Sequence, residues 1–236
     1  MATPRISQED CLAEILAPLS KGFGYRNLFI GYTGSGKSNN NVILARVSKK
    51  HHLWNIITDQ KNRDTAYYGT EIPTWGALAA VDKGQTAIIR GARLTGSVDD
   101  LLDFDEIGKG VWDLSQEDKG VFLGIDELDD ATEGERVWLK GANAKRAYMR
   151  LLYKQGRTNK ISLGACTQAV QEIPRSAITN SDTLGIFRQD RKDLGYYGSN
   201  HFLSPEEIEI VSNLEGYDFL FVRRGFPPRI CKFSAA

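Results

Sequence analysis

Residues 27–47 read NLFIGYTGSGKSNNNVILARV. An apolar run through Leu28, Phe29 and Ile30 breaks at Gly31, Gly34 and Gly36. The break ends on Lys37 and Ser38, after which a helix-like stretch begins. Glycine adopts backbone angles that a Cβ disfavours, so several main-chain N–H groups of such a loop can turn inward on one anion. The helix that follows adds the positive end of its dipole at the same point. In the spacing Gly31-x-x-x-x-Gly36-Lys37-Ser38, the lysine reaches the β- and γ-phosphates of a nucleotide and the serine hydroxyl ligates Mg²⁺. Gly31, Tyr32, Thr33, Gly34, Ser35, Gly36, Lys37 and Ser38 are therefore the expected phosphate cradle. The expected cofactors are ATP and Mg²⁺.

Outward from this loop the chain alternates short apolar runs with helical stretches. Residues 53–59, 86–91, 120–127, 161–168 and 183–188 are near-continuous apolar runs, as expected of strands covered on both faces. Residues 135–156 carry helical periodicity. Residues 204–214 read as a helix with Ser204 as cap and Pro205 at its first position. The segment YDFLFVRRGFPPRICKF (217–233) reads as a hairpin turning around Gly225-Phe226-Pro227-Pro228. Ser7 is a candidate cap for an N-terminal helix whose Leu12, Ile15 and Leu16 share a face. The expected fold is α/β: a mainly parallel P-loop NTPase sheet flanked by helices, with a C-terminal antiparallel hairpin. One ATPase domain is expected over 1–236, with 1–24 a helical extension and 25–233 the core.

The 236 residues hold 30 basic and 30 acidic side chains. No overall positive field advertises a nucleic-acid partner, so any such contact must come from local basic loops. Cys11, Cys166 and Cys231 make no Cys-x-x-Cys pair, which argues against a zinc site or a disulfide scaffold and for a reducing compartment. No apolar run approaches a membrane span, and the N-terminal residues lack a signal-peptide core. The expectation is a soluble intracellular protein or one carried inside a particle.

The run KGVFLGIDELDD (119–130) supplies what a phosphate cradle needs next. It places Asp126 and Glu127 at the C-terminal end of a buried strand, where ligands of open α/β sheets gather. Asp126 would hold Mg²⁺ opposite Ser38. Glu127 would be the general base for a water attacking the γ-phosphate. A base beside the metal-binding aspartate favours a hydrolytic motor over a small-molecule kinase. The absence of Asn-Lys-x-Asp argues against a signalling GTPase. The next strand ends on Thr167-Gln168, and Gln168 is expected near the γ-phosphate or its attacking water.

Together, the loop at 31–38, GIDE at 124–127, GRTNKISLGACTQ at 156–168 and QEIPRSAITNSDTLGIFRQ at 171–189 resemble the FtsK–HerA superfamily of ring-forming DNA-pumping ATPases. The resemblance covers roughly residues 25 to 233. It is closest to the genome-packaging ATPases of icosahedral double-stranded DNA viruses with an internal membrane, because the chain carries no appended β-barrel, membrane helix or DNA-reading domain. It implies an ATPase that translocates double-stranded DNA without reading its sequence. It also implies a homo-oligomeric ring, usually a hexamer, and capsid-vertex or virion-membrane partners. The place of work would be the packaging vertex or the host cytoplasm. An arginine from the next protomer would spread transition-state charge, and Arg157 matches the family's position. Arg150, Arg188 and Arg191 are rivals for that role. Asp59 and Lys61 match the family's Asp-x-Lys turn, although Gln60 and Asn62 stand where proline and glycine are usual.

Three rival readings are a HerA-like cellular or conjugative DNA pump, a P-loop NTPase for particle assembly or extrusion without a DNA grip, and a small-molecule kinase. His51-His52 reads as a helix end rather than a metal site. Trp54, Trp75, Trp112 and Trp138 read as core or subunit interface. Lys109, Lys119, Arg191 and Lys192 lie in loop-like stretches and are candidates for backbone-phosphate contact.

Overall fold

The computed structural model describes residues 3–52, 54–59, 69–73, 75–82, 84–90, 104–117, 120–132, 147–200 and 202–234. Lys61, Lys119 and Trp138 lie outside these residues, as do the side chains of Trp75 and Arg191 and the first part of the 135–156 stretch.

The strands are β1 (Arg26–Ile30), β2 (Trp54–Asp59), β3 (Thr70–Glu71), β4 (Thr86–Arg90), β5 (Val121–Ile125), β6 (Ile161–Thr167), β7 (Thr183–Phe187), β8 (Asp218–Arg223) and β9 (Arg229–Lys232). They form one sheet in the order β3-β4-β2-β5-β6-β1-β7-β8-β9. All pairings from β3 through β7 are parallel, and β7-β8-β9 are antiparallel. This is the fold expected from the sequence, hairpin included. The two-residue β3 is not legible as a strand, being too short to show an alternation.

The helices are α1 (Gln8–Leu16), α2 (Lys37–Ser48), α3 (Phe104–Gln116), α4 (Leu128–Thr132), α5 (Ala147–Gln155), α6 (Arg175–Asn180), α7 (Arg191–Ser199) and α8 (Pro205–Ser212). Short 3-10 turns follow α1 and α5. Side chains alternate across each strand. Leu28 and Ile30 of β1, with Val121, Leu123 and Ile125 of β5, enter the larger core. Phe29 and Phe122 point to the opposite face, among α1, α2 and the hairpin residues Phe219, Phe221 and Phe233. Both faces are thus covered, which explains the continuous apolar runs.

Lys109, expected in a loop, lies on α3 and pairs with Asp113 one turn on at 2.5 Å. The buried face of this helix includes Phe104, Ile107, Gly108 and Val111.

The N-terminal segment closes the hairpin edge. Arg5 bridges to Ile230 in parallel fashion, and Glu14 of α1 takes two hydrogen bonds of 2.6 Å from Arg229 and one of 3.3 Å from Arg223. An exposed edge strand is a template for pairing with other chains, and this segment blunts it. Cys11 on α1 and Cys231 on β9 meet there as buried thiols. Their mutual hydrogen bond raises Cys11 and lowers Cys231 in pKa.

Candidate nucleotide site

Strand β1 runs into the loop, and the loop runs into α2. Gly36 caps α2 at φ 102° and Gly34 sits at φ 83°, both left-handed conformations that side chains resist. Gly31 is required for a different reason. A Cβ there would lie 2.7 Å from Phe187 Cβ and 2.7 Å from Ser35 Oγ, so the need is for space rather than for an unusual angle. No side chain caps the N-terminus of α2, which leaves its first N–H groups facing the loop's concavity. Lys37 is 6% exposed, and its Nζ donates to Tyr32 O at 2.8 Å across the loop.

The sheet order positions the rest. Strand β6 lies between β1 and β5, with Ile30 opposite Thr167 and Ile125 opposite Ala165. Gln168, one residue past β6, therefore emerges between the cradle and the two carboxylates that follow β5. Gln168 Nε2 donates to Glu127 Oε1 at 2.8 Å, and Thr33 Oγ1 donates to Gln168 Oε1 at 2.6 Å. Thr167 Oγ1 donates to Asp129 Oδ1 at 3.0 Å. Asp126 and Glu127 are 3% and 5% exposed. Burial pushes the Cys166 thiol, on β6 beneath them, well above its usual pKa, and the Asp126 charge adds to the effect.

Beside these groups lies a cavity of about 360 Å³, the scale of a small-molecule site, and Asp126 is not among the residues that line it. Thr33, Gly34, Gly36, Lys37, Ser38, Glu127 and Gln168 line it, and the sequence pattern names all seven. It misses Asn39, Asn40, Tyr217 and Phe233, which complete the wall. The two aromatics come from the hairpin about 180 residues downstream in sequence, and no local pattern ties them to the loop. Among the described residues no group of three or more His, Cys, Asp and Glu is arranged to hold a metal ion. A hydroxyl and a carboxylate, as Ser38 and Asp126 offer, are the hard oxygen donors that Mg²⁺ takes.

Arg157 stands at the opposite edge of the sheet. It lies in the 3-10 turn Gly156–Asn159 before β6, while Gln168 follows that strand. The strand between them has 7 residues, so the two edges are roughly 23 Å apart at the usual rise. Arg157 Nη1 pairs with Asp182 Oδ1 at 3.1 Å, and its guanidinium lies 5.5 Å from the Phe23 ring centre. Arg26 shares Asp182 at 3.7 Å, and Arg223 and Arg224 line the same cleft. Of the rivals, Arg188 follows β7 directly and so sits on the cradle's own edge, exposed. Arg150 lies on α5.

No protein-family model matches the chain, and no curated protein sequence matches it significantly. Solved structures do. The genome packaging NTPase B204 from Sulfolobus turreted icosahedral virus 2, in complex with ATP-gammaS, superposes with a TM-score of 0.69 at 18% identity, covering 88% of this chain and 96% of that one. VirB4 of Thermoanaerobacter pseudethanolicus superposes with a TM-score of 0.66 at 13% identity, covering 89% of each. The cytoplasmic domain of the type VII secretion ATPase EccC from Thermomonospora curvata reaches 0.54 at 10% identity, covering 90% of this chain and 24% of that one. The fold is that of a P-loop NTPase. The structures it resembles are a viral genome packaging NTPase, VirB4 and a secretion ATPase, in keeping with the FtsK–HerA likeness read from the sequence. No described helix is long and apolar enough to cross a membrane.

Proposed function

We propose that the chain is an ATPase that drives double-stranded DNA through a homo-oligomeric ring, with packaging of a viral genome as its task. The observation that carries the reading is the hydrogen-bonded bridge Thr33–Gln168–Glu127. It ties the loop we read as the phosphate cradle to the buried carboxylate of Glu127, with the glutamine between them.

The chemistry follows from the placement. The N–H groups at the start of α2 and the Lys37 ammonium hold the β- and γ-phosphates. Ser38 and Asp126 would hold Mg²⁺, which when bound neutralises charge on the phosphate oxygens. Glu127 accepts a proton from the attacking water as the new O–P bond forms and the bond to the ADP oxygen breaks. Gln168 orients that water and links its position to the loop through Thr33.

Arg157 cannot serve the nucleotide of its own chain, given the length of β6 between them. In a ring it would face the cradle of the neighbouring protomer, leaving Asp182 to reach the γ-phosphate there. The packaging task, the capsid-vertex partners and work at the packaging vertex or in the host cytoplasm rest on the likeness to the archaeal virus NTPase. A second reading is a conjugative or secretion motor, and the likeness to the secretion ATPase EccC supports it.

The test is ATPase activity against protein concentration, with and without linear duplex DNA. A ring-forming DNA motor should gain specific activity steeply with concentration and rise further with DNA. Phosphoryl transfer to a small metabolite by a monomer would sink the reading.

A further inference from the structure

The phosphate end of the cavity accounts for only part of its wall. Beside the first turn of α2 stand two aromatic rings that nothing in the hydrolysis chemistry uses. Tyr217 precedes β8 directly, after Gly216 at φ 56°, and remains 56% exposed. Its ring leans over the cradle: Cδ1 lies 3.2 Å from the point where a Cβ on Gly36 would be. Phe233 is 4% exposed and is held edge-on by Phe29 and Phe219, at ring separations of 6.2 Å and 5.3 Å. Its orientation is thus fixed by the core. The chain around it is fixed as well, because Asn39 Nδ2 on α2 donates to Ser234 O at 3.1 Å.

We infer that Tyr217 and Phe233 form the nucleobase subsite, with the base stacked on the Tyr217 face and Phe233 closing the apolar end. The inference rests on the reading that the cradle binds a nucleoside triphosphate. The polarity of α2 sets the direction: phosphates gather at its N-terminus, so the nucleoside must extend past Ser38 along the first turn. That is where Asn39 and Asn40 line the cavity and where the two rings meet it. An exposed tyrosine at that mouth offers an open π-face. Stacking on such a face tolerates any base, because every base has one. The strand pairing explains why the aromatic wall is contributed by the hairpin. β7 pairs antiparallel with β8, so the residue that precedes β8 arrives at the sheet edge where β7 ends, beside the cradle.

The experiment is calorimetric titration of the full chain, in Mg²⁺, with ATPγS and with inorganic tripolyphosphate, which carries the phosphates and no base. Tyr217→Ala should weaken ATPγS about tenfold and leave tripolyphosphate within twofold of wild type, on the order of the removal of one stacked ring. Tyr217→Phe, which keeps the ring, should bind ATPγS as wild type does. Unchanged ATPγS affinity in Tyr217→Ala overturns the inference, and so does an equal loss of both ligands. Lys37→Ala distinguishes the cradle from the subsite. If it removes both ligands while Tyr217→Ala changes neither, the nucleobase subsite alone is wrong. If wild type binds neither ligand, the phosphate cradle itself is wrong and the subsite falls with it.

Discussion

Gln168 Nε2 donates to Glu127 Oε1 at 2.8 Å, although the two residues stand 41 positions apart in the chain. The bond exists because β5 and β6 are adjacent and in register, so their C-terminal tips emerge side by side. It makes a glutamine the intermediary between a buried carboxylate and the Thr33 hydroxyl of the loop.

This relationship predicts unequal effects of substitution. Glu127→Gln should bind ATP with near-normal affinity and lose hydrolysis by about 10²–10⁴, the usual contribution of a general base. Gln168→Ala should bind equally well and lose less, about tenfold, since it orients the water and takes no proton. Lys37→Ala should lose binding itself. Equilibrium nucleotide titration and single-turnover hydrolysis separate the three. Near-normal turnover by Glu127→Gln would remove it from the role of base.

The opposite edge of β6 predicts complementation between subunits. Arg157→Ala should lose ATPase activity by about 10³, the low end of what arginine fingers supply. Mixed with Lys37→Ala, which retains its arginine, it should regain part of that activity at intermediate ratios. Because Arg157 pairs with Asp182 within the chain, its loss also removes an ion pair that is 40% exposed on the arginine side. Such a pair is worth little to stability, so the melting temperature should scarcely move. No recovery in verified mixed assemblies would leave Arg157 as a brace for Asp182.

His52 predicts how stability depends on pH. It is 5% exposed, with Nδ1 2.9 Å from Ser48 O and Nε2 2.8 Å from Ser162 Oγ, and Tyr25 lies edge-on to its ring. Burial lowers its pKa below the ordinary value, so the neutral ring is the folded form. The unfolded chain then binds a proton that the folded chain resists. Stability is full above the unfolded pKa of about 6.5 and declines as pH falls below it, until the folded pKa is reached. The decline cannot exceed about 1.4 kcal/mol per pH unit from this residue. Urea unfolding at pH 7.5 and 5.5 should show it, and His52→Gln should reduce the difference between the two pH values. An unchanged difference in His52→Gln would assign the decline to other groups.

How much of this is legible in the sequence depends on whether the signal is local. The cradle can be read because its eight residues are consecutive, and Asp126-Glu127 because they close an apolar strand. Gln168 can be placed beside them once β5 and β6 are neighbours. Gly31 is legible as a requirement but not for its cause, since its need is the nearness of Phe187 on β7, which is not a neighbour in sequence. Tyr217 and Phe233 give no signal at all, because the hairpin reaches the site only through its antiparallel pairing with β7. The role of α1 is equally hidden. Its Glu14 is set by two arginines more than 200 residues away, at 23% exposure of the Glu14 side chain. His52 lies just past the turn that follows α2, and its burial against Ser162 follows from tertiary packing alone.

DNA stimulation supplies the last prediction. A packaging motor must move any segment of a genome, so its grip should fall on phosphates and ignore base order. With 30 basic and 30 acidic residues the chain has no general positive field, and the grip must rest on a few cations per subunit. Lys109 is a poor candidate, because Asp113 already holds its ammonium at 2.5 Å. Lys192, exposed in the first turn of α7 beyond β7, is a better one. Duplexes of unrelated sequence should therefore stimulate ATPase equally. The DNA affinity should fall linearly on a logarithmic plot against salt, with a slope of roughly −0.9 per phosphate neutralised. Lys109→Ala should leave that slope unchanged, while Lys192→Ala should reduce it by about 1 for each phosphate that is no longer neutralised. Fluorescence anisotropy on labelled duplexes across a salt series measures all of these. A strong preference for one sequence, or an affinity indifferent to salt, would contradict a motor that grips the backbone through a few cations.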